Sequence, residues 1–291
     1  MRRARPLLGT FVEIEAQGSA GDGIAQNALE QAVSAAFAAV ALVHRLMSFH
    51  ESDSDLSRLN RRAVSEPVAV HPWTATVLRR ARALFHATDG LFDCAVGHDL
   101  ARLGLLPADG LGPAEAGNFS AVEFLPGNHV TFTARIALDL GGIAKGFAVD
   151  RAIAVLRAHG VREALVNAGG DMRVMGRTAQ PIYIRHPTEP AQLLLAGTLQ
   201  NGALATSSAA ATLSVVEGRT ASALIAARTR TPIVERASYS VVAPTCVVAD
   251  ALTKVLAQVH AQVGRADAPY FERFGASAII IPASATDRQA A

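Results

Sequence analysis

The sequence has few cysteines, few aromatic residues and little charge. Its 291 residues include two cysteines, Cys94 and Cys246, which are too few and too far apart for a disulfide framework or a zinc site. Two buried thiols in a reducing compartment are the simpler interpretation. Aromatic residues make up 5% and charged residues 18% of the chain, while half of it is apolar. The core must therefore be built mainly from Ala, Val, Leu and Ile.

Charge of one sign does not dominate either. Lys plus Arg number 27 and Asp plus Glu 25, so the chain offers no dense basic face for a phosphate backbone, and a nucleic-acid partner is not expected. Near the N-terminus, Gly9 and Glu13 soon interrupt the apolar stretch that follows three arginines. Neither a signal peptide nor a membrane span is predicted there, and we expect a soluble cytoplasmic protein.

Hydrophobic periodicity predicts a mixture of helices and short strands. Apolar residues recur at helical spacing from Ile24 to Met47, and Pro72 and Gly90 mark the two ends of a second helix. The predicted helices are 24–47, Trp73–His86, Gly146–His159 and Val248–Val259, and the predicted strands are Val12–Ala16, Val130–Phe132, Ala164–Asn167, Ile182–Arg185, Leu194–Leu199, Tyr239–Ala243 and Ala278–Ile281.

Turn signals favour antiparallel pairing of the strands. The segment Val216-Glu217-Gly218-Arg219 is typical of a hairpin, and strands and helices do not alternate regularly. From Gly104 to Gly127 the chain is rich in proline and glycine, which predicts a loop-rich connection near 104–127. We therefore expect one domain over residues 1–291, of the α+β class, with mostly antiparallel sheets packed with helices.

The segment from Asp139 to Gly146 is the most informative about chemistry. Its two adjacent glycines, Gly141 and Gly142, let the backbone approach a ligand closely, and the helix that follows presents free N–H groups to anions. Lys145 adds a compact positive charge and Asp139 a carboxylate, a combination that suits a phosphate-containing ligand with or without a metal. The spacing is neither that of a Walker loop nor G-x-G-x-x-G. A plain tight turn before a helix is the alternative.

Two further clusters carry polar groups. In one, a buried strand leads into Gly169-Gly170-Asp171, which is also common turn chemistry. In the other, Asp250, Thr253 and Lys254 share one face of a predicted helix. An acid and a hydroxyl near a phosphate can ligate Mg²⁺, which prefers hard oxygen donors. A surface pair between Asp250 and Lys254 is the simpler alternative.

In type and order, these segments and several others resemble the ApbE-type FAD:protein FMN transferases over most of the chain. The matching segments are Leu8-Gly9-Thr10-Phe11, Met47-Ser48-Phe49-His50, Ser54-Asp55-Leu56-Ser57-Arg58-Leu59-Asn60, Gly90-Leu91-Phe92-Asp93, Asp139 to Gly146, Asn167 to Asp171, Ala205-Thr206-Ser207 and Ala249-Asp250-Ala251-Leu252. The resemblance implies the family's T-fold-related architecture. It also implies an enzyme that cleaves the pyrophosphate of FAD, attaches FMN to a Thr or Ser hydroxyl of a partner protein and releases AMP.

The resemblance assigns site residues by position. It implies that Asp139 and Lys145 hold FAD, and that Mg²⁺, or equally Mn²⁺, is held by the carbonyl of Gly142 and by Asp250. Lys145 would also stabilise the charge on the leaving group, and Asp171 or Asp139 would take the proton of the attacking hydroxyl. The other positions implied to contact the flavin nucleotide are Leu8, His50, Leu91, Phe92, Asp93 and Leu224.

The sequence departs from the family pattern at the metal and transfer positions. The family usually has a threonine four residues after the metal-binding acid, where this chain has Lys254, so either Thr253 replaces it as a ligand or metal binding is weakened. The family's His-x-x-Asp-Pro segment aligns with Ala223 and Ala226, which lack the imidazole and the acid. The aromatic residue that the family commonly has at the end of the Met-Ser motif is His50 here. The alternatives are therefore an FAD-binding carrier or partner-binding protein of the same fold without transfer activity, or a metal-dependent FAD pyrophosphatase.

Overall fold

The helices and strands are those of a computed structural model that describes residues 1–18, 25–216, 218–264 and 269–283. The strands are β1 (Arg2–Leu7), β2 (Thr10–Gln17), β3 (Val68–Ala69), β4 (Val122–Leu125), β5 (His129–Phe132), β6 (Glu163–Ala168), β7 (Asp171–Met175), β8 (Gln180–Arg185), β9 (Leu193–Leu199), β10 (Ala203–Ser208), β11 (Ser214–Val216), β12 (Arg219–Ala221), β13 (Ile225–Ala226), β14 (Thr231–Pro232), β15 (Ser238–Ala243) and β16 (Ser277–Ile281). The helices are α1 (Gln26–Met47), α2 (Asp55–Arg62), α3 (Pro72–Ala87), α4 (Gly97–Arg102), α5 (Ala144–Ala158), α6 (Cys246–Val263) and α7 (Pro269–Arg273).

A seven-stranded antiparallel sheet forms the centre of the molecule, in the order β1-β2-β6-β7-β10-β15-β16. The alternation of apolar and acidic residues that predicted the strand Val12–Ala16 appears in β2, where Val12, Ile14 and Ala16 are fully buried on one face of this sheet. A smaller sheet has the order β3-β5-β4. The predicted α+β class with antiparallel sheets is confirmed.

The two faces of the large sheet are covered differently. On one face α5 packs between α1 and α6 and lies on β6 and β7, while α6 lies against β10 and β15. On the other face the β8–β9 hairpin packs over a small cluster that includes Met172, Val174 and Leu204. Neighbours of Leu204 in β10, Ala203 and Ala205, join the large core on the helical side. The helical side positions the polar segments singled out above.

Several element boundaries differ from the sequence-based expectations. The helix predicted from Gly146 begins at Ala144, so Lys145 lies inside its first turn and not before it. Within the predicted loop-rich connection, 122–125 form β4, which pairs with β5. The strands β1, β3, β7, β10, β13 and β14 and the helices α2, α4 and α7 were not predicted. Residue 24, the predicted start of the first helix, lies outside the described residues, and α1 is described from Gln26.

The remaining expectations concern the hairpin, the thiols and membrane spans. Strands β11 and β12 pair antiparallel, which confirms the hairpin at Val216 to Arg219. Cys94 and Cys246 are free and buried, and burial raises the pKa of both thiols, so neither supplies a thiolate. Among the described helices, α1 alone is long and apolar enough to cross a membrane. Since α1 packs on the core, this is weak evidence for a span.

Candidate functional site

A cavity of about 580 Å³ opens where the Gly-Gly turn before α5, the end of α1 and the middle of α6 meet. This volume lies within the usual range for small-molecule sites. Every residue predicted to contact FAD or the flavin nucleotide lines it, as does the predicted metal-binding Gly142. These residues are Leu8, His50, Leu91, Phe92, Asp93, Asp139, Lys145 and Leu224. Asp171, Asp250 and Thr253 are not among the lining residues, and all three are buried beneath the cavity wall.

Lys145 reaches the cavity from the first turn of α5 and forms an ion pair with Asp171. The Asp171 side chain is buried and its second oxygen accepts the backbone N–H of Thr206 at 3.4 Å. Burial alone would lower the pKa of the Lys145 ammonium, but the carboxylates of Asp171 and Asp250 raise it above its ordinary value. Lys145 is therefore a permanent positive charge at the wall of the cavity, held in place from behind by Asp171.

Asp250 lies on α6, one layer beneath the Gly-Gly turn. Its Oδ2 atom accepts the backbone N–H of Gly146 at 3.0 Å, and its Oδ1 atom accepts from the ammonium of Lys254. Burial would raise the pKa of this carboxyl, but the ammonium groups of Lys254 and Lys145 lower it, so the group is a carboxylate. Both of its oxygens are engaged within the protein.

Thr253 has no contact with the cavity. Its side chain is fully buried, and its hydroxyl donates to the backbone carbonyl of Asp250 at 2.7 Å. The same Oγ1 atom lies 2.7 Å from Oγ of Ser207 on β10, which lines the cavity. In this arrangement, the Thr253 hydroxyl ties α6 to the sheet.

Asp139 is one of two aspartates among the described residues that line the cavity, and Asp93 is the other. Asp139 follows the buried residues Ile136 to Leu138, and Asn60 fixes the backbone there, since the Asn60 side chain exchanges two hydrogen bonds with the backbone of Leu138, at 2.8 and 2.9 Å. Oδ1 of Asp139 accepts the N–H of Gly141 at 3.2 Å. Burial raises the pKa of Asp139 above its ordinary value, against the opposing effect of that hydrogen bond and of Lys254.

Asp93 is anchored by a contact that the sequence did not indicate. Its carboxylate accepts from the backbone N–H of Ala95 at 2.7 Å and from the Arg230 guanidinium at 3.1 Å. Arg230 also donates to the carbonyls of Ala95 and Gly117, at 2.5 and 2.6 Å. Arg230 therefore holds the segment that carries Leu91 and Phe92 against the rest of the fold.

Two polar residues that sequence reasoning missed also shape the site, the buried Gln258 and the partly buried Asp150. The Gln258 side chain on α6 donates to the carbonyl of Leu91 at 2.6 Å and accepts the N–H of Ala227 at 2.8 Å. The Asp150 carboxylate on α5 accepts the first N–H groups of α6, from Cys246 and Val247, each at 3.0 Å. Gln258 could have been found, because it is a polar residue on the same helical face as Lys254. Asp150 carries no signal in its local sequence.

Comparison with known proteins places these features in a family context. The ApbE family model matches residues 8–269 of the chain. An FAD:protein FMN transferase of Vibrio cholerae is 33% identical over 145 residues, which are 46% of this chain and 43% of that protein. Another, of Rhodobacter capsulatus, is 32% identical over 205 residues, or 63% of this chain and 37% of that protein. The chain thus spans less than half of the length of these two relatives.

Solved structures share the fold. An ApbE protein of Thermotoga maritima superposes with a TM-score of 0.81 at 23% sequence identity, over 99% of this chain and 98% of that one. The flavin transferase ApbE of Vibrio cholerae superposes with a TM-score of 0.74 at 23% identity, with the same coverage of the two chains. At this level of identity the likeness establishes the architecture, which agrees with the one expected from the sequence.

Proposed function

Because the chain belongs to the ApbE family, we propose that it is an FAD:protein FMN transferase, which moves FMN from FAD to a Thr or Ser hydroxyl of a partner protein and releases AMP. One observation carries the proposal: the residues at the family's flavin-contacting positions, which are scattered from Leu8 to Leu224 along the chain, line a single cavity. The names of the relatives from Vibrio cholerae and Rhodobacter capsulatus support the same activity.

The cavity has the chemical character that FAD requires. Leu91, Phe92 and Leu224 give it a buried apolar wall for the flavin ring. Lys145, in the first turn of α5, supplies a positive charge beside the N-terminus of that helix. A diphosphate at this end would be held by the ammonium and by the helix dipole together.

The proposed transfer is an in-line displacement at the FMN phosphorus. The acceptor hydroxyl oxygen forms a bond to this phosphorus, the bridging P–O bond breaks, and AMP leaves with the electron pair. Lys145 stabilises the negative charge that develops on the leaving phosphate. The proton of the hydroxyl passes to a base, for which Asp139 is better placed than Asp171, because Asp139 lines the cavity whereas Asp171 is buried and paired with Lys145. Asp171 then acts by positioning Lys145.

The divalent cation implied by the family resemblance does not fit the donors of this chain. Both oxygens of Asp250 are engaged, by Gly146 and Lys254, and the Thr253 hydroxyl is bonded to a carbonyl and to Ser207. Within the described residues no group of three or more His, Cys, Asp or Glu side chains is arranged to hold a metal. The proposed reaction therefore routes no step through Mg²⁺ or Mn²⁺.

A second candidate is an FAD carrier of the same fold that does not transfer FMN. Ala223, which lines the cavity, stands where the family commonly has an imidazole, and this observation favours the carrier. The two functions differ in whether bound FAD is broken down in the presence of an acceptor.

The test is to incubate the purified protein with FAD, with and without a candidate acceptor protein from the same genome, and to follow AMP release and acceptor mass. An FMN-sized mass gain on the acceptor with release of AMP supports the transferase. Bound FAD without AMP in either sample selects the carrier, and FMN plus AMP without any acceptor selects a pyrophosphatase. Fractionation of cells that express the chain tests the proposed cytoplasmic location.

A further inference from the structure

The ammonium of Lys254 occupies the position next to Asp250 that faces the Gly-Gly turn. It donates to Oδ1 of Asp250 and, at 3.1 Å, to the backbone carbonyl of the same residue. Its side chain lines the cavity and is 21% exposed, whereas that of Asp250 is fully buried. The ammonium therefore connects a buried carboxylate to the space where the ligand would lie.

The methylene groups of Lys254 pack against the Gly-Gly turn at Gly142. A Cβ atom placed on Gly142 would lie 3.1 Å from Cε and 3.6 Å from Cδ of Lys254, so the methylene groups pack on the bare glycine. The carbonyl of Gly142 and the carboxylate of Asp250 are the two groups implied to hold a cation in the family. In this chain the lysine lies against both residues.

Lysine is also distributed in an unusual way. The chain contains two lysines, Lys145 and Lys254, and all its other Lys or Arg residues are arginines. Both lysines line the same cavity. An ammonium is a compact charge with three N–H donors that suits a phosphate as a point charge, whereas a guanidinium binds an oxyanion through a planar bidentate fork. Two of the three donors of Lys254 are used by Asp250, which leaves one for a ligand oxygen.

We propose that the ammonium of Lys254 takes the place of the divalent cation in this chain, so that Lys254 and Lys145 together bind the diphosphate of FAD without a metal. The inference rests on the proposed function, because FAD is the ligand of that function. Asp250 has the same role toward the ammonium that an acid ligand has toward a metal: it fixes the charge at one point of the cavity wall. Thr253 is no substitute ligand, since its hydroxyl is buried and bonded elsewhere.

The first test measures FAD affinity by quenching of flavin fluorescence, in EDTA and in excess Mg²⁺. The unmodified protein is expected to bind FAD with the same affinity, within about twofold, in both buffers. The Lys254→Thr variant, which restores the family's threonine, should lose about tenfold or more in EDTA and recover affinity when Mg²⁺ is added. Arg80→Met, which removes an exposed positive charge from α3, serves as the control and should leave FAD affinity unchanged.

Folding of the variant is controlled separately, because Lys254→Thr leaves Asp250 without its ammonium partner. The double variant Lys254→Met with Asp250→Asn removes both charges, and it should bind FAD weakly in either buffer, without any response to Mg²⁺. Binding of Mn²⁺, followed by the loss of its free electron-spin signal, should be absent in the unmodified protein and present in Lys254→Thr.

A spectroscopic readout is available because there are two lysines in all. With lysine labelled by ¹³C and ¹⁵N, FAD added in EDTA should shift the side-chain signals of both lysines, and Mg²⁺ alone should shift neither. FAD binding that requires Mg²⁺, or Mn²⁺ binding by the unmodified protein, would overturn the inference and leave the proposed function intact. Absence of FAD binding in both buffers would overturn the proposed function and the inference with it.

Discussion

The backbone N–H of Gly146 donates to Oδ2 of Asp250 at 3.0 Å, and this bond joins the first turn of α5 to α6. The two helices can approach this closely only because residue 146 is glycine. A Cβ atom there would lie 2.3 Å from the carbonyl oxygen of Cys246 and 2.8 Å from Cβ of Asp250. The contact sets the separation of the two helices that present Lys145 and Lys254 to the cavity.

The variant Gly146→Ala should therefore disturb both stability and ligand binding. The added methyl group must push α5 away from α6, at a cost of about 1–3 kcal/mol, and this movement should lower FAD affinity. The matched control is Gly264→Ala at the end of α6, where φ is +66° and nothing lies within 4 Å of the added atom. The control should lose stability through its backbone conformation alone and keep its FAD affinity. Thermal melts and FAD titration of both variants make the comparison.

Part of this site is visible in the sequence because its signals are local. The Gly-Gly turn, Lys145 and the Asp250–Lys254 spacing each lie within a few residues, and short-range geometry is enough to interpret them. The pattern of β2 is equally local, since alternate residues of a strand share one face. The turn, the helix that carries Asp250 and Lys254, and β2 were predicted correctly as elements of structure, whereas Lys145 lies inside the helix that it was expected to precede.

The rest depends on pairs that only the fold brings together. The Lys145–Asp171 ion pair joins residues 26 positions apart, and the Arg230–Asp93 pair joins residues 137 apart. The local sequence around these residues does not indicate the partner that each one contacts. The boundary of α5 was missed for a related reason: two glycines at its start argue against a helix locally, whereas packing of α5 between α1 and α6 stabilises it from residue 144.

The Lys145–Asp171 pair can be dissected with a double-mutant cycle. Lys145→Met leaves the carboxylate of Asp171 buried without a counter-charge, which should cost about 3 kcal/mol of stability. Asp171→Asn removes that charge, so the double variant should be more stable than Lys145→Met alone. FAD affinity should fall in both variants that lack the ammonium and persist in Asp171→Asn.

Stability measured by denaturant titration and affinity measured by fluorescence separate the two roles of the pair. If Asp171→Asn alone lost FAD affinity as severely as Lys145→Met, Asp171 would have to contact the ligand itself. We expect Asp171→Asn to keep its FAD affinity, because Asp171 is buried and Lys145 lies between it and the cavity.

Arg230 should matter for the cavity although it does not line it. The variant Arg230→Met removes the bonds to Asp93 and to the carbonyls of Ala95 and Gly117, and leaves a buried carboxylate without its cation. We expect a loss of about 2–3 kcal/mol in stability and weaker FAD binding. The matched control is Arg228→Met, since Arg228 is exposed and donates to the carbonyl of Asp89.

The control should change stability by less than about 0.5 kcal/mol and leave FAD affinity as it is. Equal effects of the two arginine variants would mean that the Asp93 segment is held by other contacts. Urea titration and FAD fluorescence on the same samples give both quantities.

Asp139 should make the protein less stable at neutral pH than an uncharged side chain would. Burial raises its pKa in the folded state above the ordinary value of an aspartic acid, so the folded state binds the proton more tightly than the unfolded state does. The protonated Asp139 carboxyl therefore contributes its full stabilisation of the folded state below the ordinary pKa. This stabilisation is lost as the pH rises through the raised pKa of the folded state. The variant Asp139→Asn avoids this loss, and it should melt at a higher temperature than the unmodified protein at about pH 8.

The advantage of Asp139→Asn should shrink as the pH falls toward about 3, below the ordinary pKa of an aspartic acid, where the carboxyl of the unmodified protein is protonated in both states. Asp109→Asn, on an exposed loop, is the control and should follow the unmodified protein at every pH. If Asp139→Asn melted lower at neutral pH, the hydrogen bond from Gly141 and the ammonium of Lys254 would outweigh the burial of the charge.

Because Asp139 is also the proposed proton acceptor, the same variant should bind FAD but release little AMP with an acceptor present. Gain of stability together with loss of transfer would show that the charge is retained at residue 139 for the reaction and not for the fold.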